Sequence, residues 1–266
     1  MSRLLLWCRY GSHFRFFSAR VIYHLSRALR YSSTPRHMLL RFAAATSSAS
    51  GSAATSSVSG SRVPCVLFDV MDTLVADPFF RGFESSLFGM TGGIQQLFEV
   101  KDQSSFIAFE LGKITEEQHF STYFVDRRTV DGDRIKAFLR ANYKWLPGMK
   151  ELCTELRDMG VPMGTFTNYP AEWAPLVEEA VGLSEWVPWA FISGEAGVRK
   201  PTPEAFKAAL EIVGRGASEV IFVDDSATNV EAARQCGIPA IRFEGAAALR
   251  PALQQLGLPL APKAAL

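Results

Sequence analysis

The sequence predicts an α/β fold: a parallel sheet covered by helices on both faces, with a smaller all-helical piece inserted near its start. Three observations carry this. From Pro147 onward, short apolar runs rich in Val, Ile and Phe alternate with helical periodicity, the rhythm of repeated βαβ units. The run Val63 to Leu74 begins as a buried strand and delivers a carboxylate, Asp69, at its tip. Between that strand and the next, Val75 to Leu146 contains no convincing strand and reads as a succession of helices.

Taken in order, residues 1 to 62 form a leader with nine Arg, no Lys and no acid. In Arg20 to Tyr31 the residues Arg20, His24 and Arg27 share one helical face, while Val21, Ile22, Leu25 and Leu29 take the other, which makes a basic amphipathic helix. A Ser/Ala/Gly/Thr tract follows from Ala43 to Ser61, expected to be disordered and to contain or adjoin a processing site. The composition is that of an organelle transit peptide, and it does not separate mitochondrion from plastid. Leu4 to Trp7 is too short an apolar run for a secretory signal. A disordered basic tail that binds anionic surfaces is the alternative.

The leader also distorts the charge of the whole. Of 28 Lys and Arg, nine belong to it, which leaves 19 against 27 acids, a net of −8 for the remainder. So acidic a body is a poor partner for the phosphate backbone of nucleic acid. At 266 residues and 48% hydrophobic content the chain suits one soluble domain plus a modest second one. No run approaches the ~18 apolar residues of a membrane span. The four cysteines are scattered, without a C-x-x-C pair, and read as reduced and mostly buried thiols. His119 is the one histidine after the leader, in a polar helical segment that predicts a solvated surface position, so a multi-histidine zinc site is excluded.

Within the insert, helices are predicted over 83–88, 94–100, 103–111, 115–124 and 131–142, and Thr115 with Gln118 has the form of a capping box. After it, helices are expected over 149–159, 171–181, 202–213, 227–236 and 246–256. Strands are expected over 162–166, 189–192, 220–223 and 240–243. Gly160, Gly182 and Gly237 follow helices as stop signals, and Thr202 or Pro203 opens the helix after Lys200-Pro201.

Four of the apolar runs end on polar groups: Asp69, then Thr167-Asn168, then Lys200 within Gly197 to Pro201, then Asp224-Asp225-Ser226. In an open α/β sheet the crevice beyond the strand C-termini is where ligands bind. Singly, each has a plainer explanation. Asp69 could be a turn residue, Thr167 and Asn168 could cap a helix, Lys200 could sit on the surface, and the acidic pair could be a solvated turn.

Jointly, in this order and spacing, these stretches resemble the signature motifs of the haloacid dehalogenase superfamily of phosphohydrolases, from about Val63 to about Leu258. The resemblance implies a Rossmann-like parallel sheet in the order 5-4-1-2-3 with the first strand central. It divides the chain into a core domain (63–76 and 147–258), a small helical cap domain (77–146) that closes over the site and selects the substrate, and a frayed tail (259–266). It also implies a phosphatase acting on a small phosphate monoester with Mg²⁺. Asp69 would be the nucleophile that forms an aspartyl-phosphate; Thr167 and Asn168 would donate hydrogen bonds to phosphoryl oxygens, and Lys200 would neutralise charge on the nucleophile and the transferred group. Mg²⁺ would be held by Asp69, the backbone carbonyl of Met71 and Asp225, with Asp224 behind it and Asn229 orienting the set. Nothing in the sequence speaks to oligomeric state.

One position departs from the common pattern. Most phosphatases of this superfamily carry a general-acid Asp two residues after the nucleophile, where Met71 stands here. Asp72 comes one place later and, on an extended segment, would point to the opposite face. Hydrolytic dehalogenases of the superfamily also lack that Asp, but they need no metal and usually carry neutral residues in place of Asp224 and Asp225; a non-catalytic binding protein on the same fold is a further alternative. The phrase Phe68 to Val75 with Asp77-Pro78-Phe79, together with Phe166 to Pro170, looks like a plant and algal subgroup that includes chloroplast hydrolases of flavin mononucleotide (FMN). That implies conversion of FMN to riboflavin and phosphate in the chloroplast. Phe79, Phe80, Phe83, Tyr169 and Trp173 would offer a flavin ring a stacking surface or, more often for residues beside a hinge, pack among themselves.

Overall fold

The computed structural model describes residues 63–261, so the predicted leader and the last five residues lie outside the described residues. Five strands form one sheet: β1 Cys65–Phe68, β2 Met163–Thr167, β3 Phe191–Ile192, β4 Val220–Asp224 and β5 Ala240–Arg242. Their order is β3-β2-β1-β4-β5 with every pair parallel, which is the expected order read from the other edge. β1 is central because its Cys65-Val66-Leu67-Phe68 is apolar on both faces. The two-residue period sends Val66 and Phe68 into one hydrophobic cluster and Cys65 and Leu67 into the other.

Each cluster is closed by helices. α6 (Met149–Asp158), α7 (Ala174–Val181) and α11 (Ala246–Gln255) cover the Phe68 side, where Met149, Leu152, Leu156, Val177, Leu249 and Leu253 are buried. α9 (Pro203–Val213) and α10 (Ala227–Gln235) cover the Leu67 side, where Phe206 lies against Phe166 and Phe222 at 5.3 and 5.7 Å between ring centroids. A four-residue helix, α8 (Ser193–Ala196), follows β3 directly and has no counterpart in the periodicity, being too short to show one.

The insert between β1 and β2 is α1 (Phe83–Phe88), α2 (Gly93–Val100), α3 (Gln103–Glu110), α4 (Glu116–Ser121) and α5 (Gly132–Asn142). Its starts are written in the sequence. Asp102 accepts from Ser105 N at 3.2 Å, Asp131 accepts from Arg134 N at 2.9 Å, and Thr115 with Gln118 closes both halves of a capping box. α4 stops at Ser121, short of the expected Phe124, because Phe124 leaves the helix to bridge Lys101. The insert touches the core closely at Gly112. A β-carbon there would lie 2.2 Å from the Gly194 carbonyl oxygen, and the φ of +64° suits glycine besides.

Two expectations are corrected here. Residues 259–261 are not frayed: Leu258 and Leu260 are buried, and Gln254 donates to the Leu260 carbonyl. His119 is not solvated. It is 0% exposed, its ring stacked on Phe109 at 5.0 Å and 12°, because α4 turns that face toward α3 rather than to water. Cys65 and Cys153 are buried free thiols, and Cys236 is partly exposed. No helix among the described residues is long and apolar enough to cross a membrane.

Candidate active site

Three strands end at one crevice. β1 hands over to Asp69, β2 ends on Thr167 and β4 ends on Asp224, so neighbouring strands bring residues over 150 positions apart to a common edge. Lys200 comes in from the loop between α8 and α9. Its Nζ donates to Asp69 Oδ1 at 2.8 Å and to Asp224 Oδ2 at 2.5 Å, and it is 1% exposed. The rings of Phe166 and Phe222 flank it, each 5.2 Å away.

The second half of the site holds Lys200 and Asp224 in place. Asn168 Oδ1 accepts from Lys200 N at 2.8 Å and its Nδ2 donates to Lys200 O at 2.9 Å. The Asn168 amide is thus spent on the lysine's backbone, which leaves the residue's own N–H as its donor for an outside oxygen. Asp224 Oδ1 accepts from Ser226 N at 2.8 Å, and Asn229 Nδ2 reaches both oxygens at 3.1 Å. Asp224 is therefore saturated by donors, while Asp225 beside it is exposed.

The electrostatics are unbalanced. Burial pushes the Asp69 carboxyl up to about 7, Lys200 opposes it, and Asp224 and Asp225 add to it. Burial also works against the Lys200 ammonium, but Asp69 and Asp224 outweigh it and hold it above its ordinary range. Asp225 is raised by partial desolvation and by Asp224 and Asp72. Three carboxylates thus converge on one ammonium, each of the three offering an oxygen within 4.8 Å of the others. An all-oxygen set with excess negative charge fits a hard divalent cation. Among the described residues no donor reaches the Met71 carbonyl, and the buried Thr167 Oγ1 has no partner, so both remain available to a ligand.

Asp72 is corrected. It is not on an extended segment but in a tight turn at φ +53°, where its Oδ1 accepts from Asp77 N at 3.0 Å and pairs with Arg81 at 2.7 Å. Of the aromatic residues, Phe83, Tyr169 and Trp173 are buried packing residues, and Phe80 is exposed. Sequence reasoning missed the seam with the insert. Glu110 Oε2 lies 2.7 Å from Arg199 Nε, next to Lys200, and Ser193 Oγ donates to the Glu110 carbonyl at 2.7 Å. The signal was there in Glu110, an acid that α3 buries beside Phe109.

A parallel sheet with a buried carboxylate at the tip of its central strand, bridged by a buried lysine to a second acid, is an arrangement that suits a hydrolytic α/β enzyme. Residues 63–237 match the haloacid dehalogenase-like hydrolases. The chain is 38% identical over 216 residues to "Flavin mononucleotide hydrolase 1, chloroplastic" of Arabidopsis thaliana, covering 79% of this chain and 86% of that one. It is 33% identical to a phosphoglycolate phosphatase of Pseudomonas savastanoi over a shorter stretch, 36% of this chain and 35% of that one. In structure it is similar to a haloacid dehalogenase family enzyme of Bacteroides thetaiotaomicron in complex with magnesium and inorganic phosphate. The TM-score is 0.56 at 21% identity, over 70% of this chain and 96% of that one. The chain belongs to the haloacid dehalogenase-like hydrolase family and is a hydrolase.

Proposed function

We propose that this hydrolase is a phosphatase of small phosphate monoesters that works through an aspartyl-phosphate on Asp69, with FMN as the substrate and riboflavin and phosphate as products. The observation that carries the reaction type is the Lys200 ammonium shared between Asp69 and Asp224. A carboxylate attacks a phosphate dianion only where positive charge and preorganised donors offset the repulsion. Lys200 supplies that charge at the nucleophile, Thr167 Oγ1 and the Asn168 N–H face the transferred group as donors, and Asn168 and Asn229 keep Lys200 and Asp224 in register. Asp69, the Met71 carbonyl and Asp225 would hold Mg²⁺, with Asp224 and Asn229 behind them. Bound there, the ion would screen the carboxylates and polarise the phosphoryl group. The acidic pair is what argues against metal-free dehalogenation.

The substrate rests on the 38% identity with the Arabidopsis FMN hydrolase, and so does a plastid location for the chain once its basic leader is removed. Residues 77–146 serve as the cap over the crevice, with Glu110 pairing with Arg199 beside Lys200. A panel of FMN, phosphoglycolate and an aryl phosphate, assayed with the full chain in Mg²⁺ and in EDTA, tests the reading. Turnover of FMN that EDTA abolishes is expected. Release of halide from a 2-haloacid in EDTA would refute it, and preference for phosphoglycolate would refute the substrate alone.

A further inference from the structure

Lys101 follows α2 in the insert and is 6% exposed. Its Nζ lies 4.1 Å from the Phe106 ring centroid, 4.3 Å from Phe79 and 5.2 Å from Tyr123. Among the described residues no carboxylate comes within ion-pairing distance of it and no acceptor takes its N–H groups. Ring contacts return about 0.5–2 kcal/mol for a cation, against a desolvation cost of several kcal/mol. A buried ammonium with three unspent donors is a group waiting for an acceptor.

The acids whose charge it feels lie next to crevice residues. The charges that act on Lys101 are Asp77 and Glu110. Asp77 lies just beyond the turn that follows Asp69, and Glu110 pairs with Arg199 and is acted on by Lys200 and Lys101 alike. In the turn after Asp69 the groups that could give a proton are missing or already bonded within the protein. Met71 has no proton to give, Asp72 is tied to Arg81, and Asp77 Oδ1 is occupied by Phe79 N at 2.9 Å.

We propose that Lys101 is the proton donor to the leaving alcohol of a phosphate monoester held at Asp69, an inference that rests on the phosphatase reading above. In the first half-reaction an Asp69 oxygen bonds to phosphorus and the ester P–O bond breaks. Its electron pair goes to the ester oxygen, which takes a proton from the Lys101 ammonium. In the second, water attacks the aspartyl-phosphate, the neutral Lys101 amine takes the proton, and Asp69 leaves as a carboxylate. Burial lowers the Lys101 pKa to about 8 while Asp77 and Glu110 pull it the other way, so both forms are accessible near neutral pH. His119, which also feels this charge, is held neutral by burial and does not compete.

The test compares wild type, Lys101→Met and Lys101→Arg on FMN, an alkyl ester, and on p-nitrophenyl phosphate, whose aryl oxide departs without a proton. Lys101→Met should lower kcat on FMN about 10²-fold or more and on the aryl ester by less than about threefold. Arginine keeps the charge but cannot give up its proton, and should lose the FMN rate as well. The wild-type FMN rate should fall above about pH 8 while the aryl rate does not. Equal losses on both esters, or an FMN profile flat across that range, overturn the proposal and leave the phosphatase reading standing. Selective loss of FMN turnover in Asp77→Asn but not in Lys101→Met moves the donor to Asp77 and also overturns it. Wild type inactive on both esters with Mg²⁺ would overturn the phosphatase reading itself. The pH profile needs no variant, so it decides the matter even if Lys101→Met does not fold.

Discussion

The crevice and the helical insert bury ionisable groups in opposite ways. In the crevice every buried charge has a charged partner: Lys200 meets Asp69 and Asp224, and Asp224 also takes Ser226 N and Asn229. In the insert His119 Nε2 and Tyr123 Oη have no partner among the described residues, and Lys101 has only rings. In the crevice pairing opposes desolvation and holds Lys200 charged, although Asp69 is still raised; in the insert desolvation prevails and holds its groups toward neutrality. The cause is architectural. Strand ends in a parallel sheet converge on one edge and place acids and lysine within bonding reach, whereas short amphipathic helices packed on aromatic rings supply few acceptors.

The crevice side should break most sharply at Asp69, the proposed nucleophile. Asp69→Asn should cost at least about 10³-fold in kcat while the melting temperature stays within a few degrees, because the amide keeps the shape but cannot form the acyl phosphate. Residual turnover above a tenth of wild type would sink the covalent mechanism.

The insert side breaks with acid rather than with mutation. His119 has its pKa lowered from 6.5 to about 3, first by burial, then by Lys101. Below pH 6.5 the unfolded chain binds a proton that the folded chain refuses, so stability falls as pH drops from 6.5 toward 3, by about 1.4 kcal/mol per pH unit. Asp77, raised by burial to about 6, works the other way, adding stability as pH falls from 6 to 3.8. Denaturant melts of His119→Phe against wild type at pH 7 and pH 5 isolate the histidine. The variant should lose roughly 2 kcal/mol less on acidification. The same loss in both would mean that His119 is not held neutral.

Two smaller effects sharpen the contrast. Asn168→Ala removes the clamp on the Lys200 backbone and should lower kcat about tenfold, some 1.4 kcal/mol, with KM nearly unchanged. A rise in KM alone would mean that Asn168 binds substrate through its side chain after all. Met71→Asp should change the FMN and aryl phosphate rates by the same factor, a few-fold at most, because the insert already supplies the leaving-group proton. A gain confined to FMN would show that the crevice lacks its acid and that the insert does not provide one.

Much of the fold and half of the site were legible in the chain. Apolar runs marked the five strands to within two residues or so, since a strand buried on both faces needs continuous hydrophobicity. Asp102, Thr115 and Asp131 marked helix starts because a cap is a local bond between residues three apart. Asp69, Thr167, Lys200 and Asp224 were readable as polar groups at the ends of such runs. What the chain by itself determined was therefore whatever depends on neighbours in sequence. Only the tertiary structure decided that Asn168 clamps Lys200 across 32 residues, that Glu110 meets Arg199, that Asp72 turns into a left-handed bend held by Arg81, and that His119 and Lys101 lie out of water. Burial and long-range pairing depend on which surfaces meet when the insert packs against the core, and no local periodicity encodes that choice.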